Sequence, residues 1–157
     1  MASPAGDRVA ALSKQLAETH HELRRRLADL RAGTASPAPA ADLREHCLAF
    51  CDALTTHHQG EDNGLFTALL RERPDLKPTI DKLVEDHGLI TGILTRTAEL
   101  ATSGRAGIGP ELDGLAAIVE SHFRFEERAL SQALDAGVPD NGWSDPVLRL
   151  RSPHSHR

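Results

Sequence analysis

The chain has no tyrosine, one tryptophan, one methionine and four phenylalanines, so aromatic rings occupy 3% of its 157 residues. A tyrosine ligand or a tyrosyl radical is therefore excluded. It has only two cysteines, Cys47 and Cys51. Four residues apart on one helix they are awkward to bridge, and they read as small buried thiols. No stretch approaches the roughly 20 apolar residues that a membrane-spanning helix needs, and the N-terminus lacks the basic-then-apolar layout of a signal peptide. The expectation is a cytoplasmic protein with no membrane partner. Charge of one sign is not concentrated either: the formal net charge is -5, and Arg24, Arg25, Arg26 and Arg31 are interspersed with acids, so the basic stripe of a nucleic-acid binder is missing. No segment shows the strict alternation of a strand, and no period of roughly 20 to 50 residues repeats.

What remains is a chain of helical patterns. With 39% hydrophobic and 26% charged residues it suits one soluble domain with a full core. Ser3 and Pro4 suit a helix start, and Val9, Leu12, Leu16, Leu23, Leu27 and Leu30 mark a first helix of about 28 residues, with His20 on its stripe. Pro37 and Pro39 make Gly33 to Ala41 a loop. Asp42 with Glu45 resembles a capping box for a second helix that ends before Pro74. A third helix starts near Pro78, buries Ile80, Val84, His87, Ile90 and Leu94, and stops at Ser103 and Gly104. A fourth opens at Pro110, turns Leu112, Leu115, Val119, His122, Glu126, Ala129 and Ala133 inward, and closes at Gly137 and Pro139. The fold class is all-α, an up-down-up-down four-helix bundle over residues 1–137. A short irregular C-terminal tail, 138–157, follows; its end from Ser152 to Arg157 reads as disordered, and Trp143 could cover one end of the bundle.

The second helix carries the chemistry. Its apolar stripe runs Leu43, Cys47, Phe50, Leu54, His57, Glu61 and Leu65, which turns an imidazole and a carboxylate into the core. An unpaired buried charge costs several kcal/mol or more, and no Lys or Arg shares that face, so a metal is the natural partner. Each of the other helices also places one histidine inward, His20, His87 and His122, and at about 1.5 Å per residue all four lie at similar depth. Glu61 and Glu126 stand one turn beyond their own histidines. A histidine with an acid four residues on is weak evidence alone, and His58 with Asp62 reads as a chance pair. Four core imidazoles with no metal would each need hydrogen-bond partners in an aliphatic interior. Mixed nitrogen and oxygen donors point to iron or manganese rather than zinc, magnesium or calcium.

The order His20, His57-His58-Gln59-Gly60-Glu61-Asp62, Asp86-His87 and His122-Phe123-Arg124-Phe125-Glu126-Glu127 resembles the hemerythrin-like, or HHE cation-binding, domain, over about residues 5 to 137. That resemblance implies a four-helix bundle around two non-haem irons bridged by an oxygen atom. His20 and His57 would hold one iron, His87 and His122 the other, and Glu61 and Glu126 would bridge them. Oxygen-carrying hemerythrins have a further histidine one turn after that of the third helix. Here that position is Thr91, as it is also non-histidine in the iron-sensing domain of an F-box ubiquitin-ligase subunit of the same family.

The resulting expectation is a di-iron protein that binds or reacts with dioxygen, peroxide or nitric oxide, in sensing, storage or detoxification. The alternative is a catalase-like or peroxidase-like enzyme, or an oxidase or oxygenase of a small substrate. A third class, a structural bundle with zinc or no metal, predicts a colourless protein. His21 and His58 read as rotated off the stripe, with surface or supporting roles ahead of ligation. Asp86, Glu85 and Glu127 are candidate acceptors for ligand imidazole N–H groups or solvated helix charges. His46 reads as an end-of-bundle residue. The sequence leaves the oligomeric state open.

Overall fold

The computed structural model describes residues 11–34, 40–103 and 107–150. In chain order its elements are α1 (Leu12–Thr34), α2 (Ala40–Gly60), a π-helical turn (Glu61–Leu65), α3 (Phe66–Glu72), a 3-10 turn (Pro74–Leu76), α4 (Lys77–Ser103), α5 (Ile108–Asp135) and α6 (Ser144–Leu148). Among the described residues there is no strand, and no helix is long and apolar enough to cross a membrane. The helix start at Ser3 and Pro4, the stripe residue Val9, the loop residues Pro37 and Pro39, and the tail end Ser152 to Arg157 lie outside the described residues.

Side-chain pairs set the direction of each rod. Ser13 donates from its amide and hydroxyl to Asp135, at 2.9 and 2.8 Å, while Arg31 reaches Asp113 at the other end of the same two helices. Arg96 pairs with Glu111 and Asp86 with His122. Cys51 meets Leu94 and Asp62 meets His87. In each of these three pairs of rods the numbers run in opposite senses, so those neighbours are antiparallel.

The apolar stripes meet in two separate cores. One is built on Leu23, Leu27, Cys47, Phe50, Leu54, Ile90, Leu115 and Phe123; the other on Leu16, Phe66, Leu69, Leu83, Leu130, Trp143 and Val147. Between them lies a layer of buried polar side chains. Both cysteines are free thiols, Cys47 buried and Cys51 partly so.

Several local expectations change. Val84 is 41% exposed, because the inner line of α4 runs Ile80, Leu83, His87, Ile90, Leu94 and Thr97. On α5 Leu130 is buried in the place expected of Ala129, which sits at the edge. The second helix starts at Ala40, so Asp42 lies in its first turn, where a carboxylate faces free N–H groups of the helix end instead of capping it. That helix is also not uniform. At the π turn the Phe66 amide donates to the Glu61 carbonyl, five residues back. In an unbroken α-helix Phe66 would point about 120° from Leu54; the extra residue in the wide turn returns it to within about 20°. Phe66 and Leu69 are accordingly buried.

The tail departs most from expectation. Between irregular stretches at 138–143 and 149–150 it forms the short helix α6, where Trp143 and Val147, four apart, have an apolar surface to cover: they are 4% and 0% exposed. The seat is made of glycine. A Cβ on Gly64 would lie 2.6 Å from Trp143 Cβ, and one on Gly60 would lie 2.9 Å from Pro146 Cβ. Trp143 also donates its indole N–H to the Pro139 carbonyl at 2.8 Å. Trp143→Ala should cost about 3–5 kcal/mol of stability, read by denaturant unfolding.

Candidate metal centre

The polar layer holds His20 from α1, His57 and His58 from α2, Glu61 from the π turn, His87 from α4, and His122 and Glu126 from α5. All seven are buried. Two groups converge: His20, His57 and Glu61, and His58, Glu61, His87 and His122. Glu126 lies against both, its Oε1 3.9 Å from His20 Nε2 and 3.4 Å from His122 Nε2. Glu61 spans them with different atoms, Oε2 at 3.6 Å from His57 Nε2 and Oε1 at 3.2 Å from His87 Nε2.

The protons of the imidazoles are set by what lies behind each ring. His20 Nδ1 faces Glu127 at 2.8 Å, His57 Nδ1 the Val147 carbonyl at 2.7 Å, His87 Nδ1 Asp62 at 2.7 Å and His122 Nδ1 Asp86 at 3.2 Å. All four partners accept, so each Nδ1 carries the hydrogen, and in the neutral ring each Nε2 is a bare lone pair. Those lone pairs face one another, His20 to His57 at 3.2 Å and His87 to His122 at 3.1 Å. With no proton between them the contacts repel. A cation relieves this: two ligands at about 2.1–2.2 Å and a right angle on one first-row metal are about 3 Å apart. The remaining donors agree, for both oxygens of Glu61, both of Glu126 and both ring nitrogens of His58 have no hydrogen-bond partner. Six orphaned buried donor atoms around one point are the expected signature of a metal cluster.

Electrostatics favour the neutral ring at His57 and His58, whereas Glu126 and Asp86 raise His122 against the downward push of burial. Burial, then the charge of His20, pushes the His57 imidazole down to about 3. Burial, reinforced by the surrounding imidazoles, holds His58 well below its usual value. Burial and the neighbouring Glu126 raise Glu61. Against the upward push of burial, His20 and Arg24 hold Glu127 below the usual carboxylate range, and Lys82 and His122 do so for Asp86. Arg24 bridges Glu120 and Glu127 at 2.7 and 3.2 Å, which favours the anionic form of Glu127 behind the His20 ring.

The structure therefore brings together His20, His57, Glu61, His87, His122 and Glu126. It also corrects three readings. His58 does not sit on the flank: it is buried and stacks on His87 with ring centroids 3.8 Å apart. Four residues after Leu54, it lies about 40° from that residue, closer than His57 at about 60°, so the stripe admitted both. Asp62, read as part of a chance pair, orients His87. Glu85 is exposed, whereas Glu127 and Asp86 do serve as acceptors. His21, His46 and Thr91 are all exposed. Val147 acts through its main chain and left no residue-type signal.

A family model described as the hemerythrin HHE cation-binding domain matches residues 11–134. No curated protein and no solved structure matches.

Proposed function

The chain belongs to the hemerythrin HHE cation-binding domain family, and on that premise we propose that it is a non-haem di-iron protein which binds or reacts with dioxygen, peroxide or nitric oxide. The observation that carries this reading is the pair of facing Nε2 lone pairs, at 3.2 and 3.1 Å, with carboxylates within reach of both. His20 and His57 would hold one ion, His87 and His122 the other, with Glu61 and Glu126 shared. His58, with two orphaned nitrogens in the second group, would add a third imidazole there and leave the His20 side with fewer protein donors. Manganese is compatible with the same donor set.

Iron bound there supplies one-electron steps at each of two ions and so a two-electron reductant for a small oxidant. The chain's own contribution is positioning and charge. Neutral rings present Nε2, the anions Glu127, Asp62 and Asp86 behind them increase ligand basicity, and the apolar cores on either side keep bulk water out. Glu127 and Asp86, 25% and 15% exposed, connect the buried imidazoles to the surface and can pass a proton outward.

Protein purified under air should carry two irons per chain and absorb in the ultraviolet charge-transfer range. His58→Ala should weaken metal affinity at least about tenfold, and His154→Ala should leave it unchanged. A colourless, zinc-loaded protein would contradict the reading. Oxygen evolved from peroxide over many turnovers marks a catalase-like enzyme; bleaching after one equivalent marks sensing or storage.

A further inference from the structure

Three of the four facing imidazoles are oriented by carboxylates carried on the bundle itself. His57 is the exception: its Nδ1–H is accepted at 2.7 Å by the main-chain carbonyl of Val147. Val147 lies on α6, beyond residue 134, where the family match ends. The segment that delivers this carbonyl is fixed at three further points. Thr19 donates its hydroxyl to the Leu148 carbonyl at 3.1 Å. Trp143 is pressed against Gly64, and Pro146 and Val147 against Gly60, at distances that no side chain on either glycine would allow.

We propose that Val147 is a positioning residue of the metal centre: its carbonyl, held by α6, fixes the His57 tautomer and ring angle so that Nε2 faces His20 Nε2 as a lone pair. The proposal rests on the di-iron reading for its consequence, but the positioning itself belongs to the protein alone. A neutral carbonyl also polarises its imidazole less than a carboxylate does, so His57 is the least electron-rich ligand of the four. The ion on the His20 side is then the one more readily lost.

The carbonyl can be weakened without touching a side chain. Replacing Leu148 by its α-hydroxy acid in the full-length chain, through ligation of a synthetic C-terminal segment, turns the Val147 carbonyl into an ester, a poorer acceptor. The control is the same replacement at Leu150, which weakens the Arg149 carbonyl but leaves the carbonyls of Val147 and Leu148, and the Thr19 bond to the latter, as they are. Nitrogen-15 chemical shifts of the metal-free protein report the His57 tautomer, and transfer of iron to a chelator reports release. The Leu148 ester should give His57 a mixture of tautomers and speed release of one of the two ions by about 10- to 100-fold, with the control close to wild type. Equal effects of both esters, or none from either, overturn the proposal. If wild-type protein takes up no iron, the di-iron reading falls while the tautomer measurement still decides this one.

Discussion

Glu61→Gln should reduce bound iron from two ions per chain to at most one, and should at the same time make the metal-free protein more stable. The first effect follows from Glu61 being the residue whose two oxygens face different histidine pairs, His57 at 3.6 Å and His87 at 3.2 Å. Glutamine has the same shape but no charge, and its amide nitrogen cannot take the place of the second oxygen. The second effect follows from what the metal-free layer lacks. Burial and Glu126 already press the Glu61 carboxyl upward, its oxygens have no partner, and two imidazole lone pairs nearby have no donor. A glutamine NH2 supplies that donor without needing a proton and takes away the carboxylate form that burial and Glu126 disfavour. A gain of about 1–3 kcal/mol is expected. Metal analysis and denaturant unfolding of stripped protein measure the two effects, and they should move in opposite directions. A loss in both would make Glu61 a structural residue.

Acid should both empty the site and loosen the fold. The metal-free His57 imidazole stays neutral down to about 3, against an ordinary value of 6.5. A group depressed on folding stabilises the protein above its unfolded value, and that contribution is lost as pH falls through the window to its folded value. For His57 the loss runs from about pH 6.5 to about pH 3 and amounts to on the order of 5 kcal/mol. His58 acts in the same direction. His122 opposes them: despite burial, Glu126 and Asp86 raise it, so its proton favours the fold at low pH. Two depressed rings outweigh one raised ring, and urea midpoints of stripped protein should fall steeply below about pH 6. Iron-loaded protein should release metal over the same range, because each proton taken up by an Nε2 removes a ligand. Midpoints independent of pH between 7 and 4 would contradict the neutral-imidazole assignment.

The bundle was legible because helical periodicity is strong where a residue has only two choices, core or water. His20, His87 and His122 each replaced an apolar residue at a stripe position, and the structure buries all three. His58 was misread for a geometric reason: a stripe drawn through His57 and Glu61 is centred too far to one side, and an arc centred on Leu54 includes both histidines. The π turn could not be read at all, since Glu61 and Leu65 are also four apart in a regular helix. Nor could the role of α6, because a carbonyl is common to every residue and only the tertiary fold puts that of Val147 behind His57.

The wide turn at Glu61–Leu65 has a consequence for any attempt to regularise this helix. Removing one exposed residue from it, Asn63, would leave Phe66 and Leu69 facing the same core and would give a more regular, better-propagating helix. The wide turn, however, carries two consecutive acids, Glu61 and Asp62, that meet the two ring nitrogens of His87 at 3.2 and 2.7 Å. A shortened segment should therefore gain helix propensity and lose the two-nitrogen contact with His87.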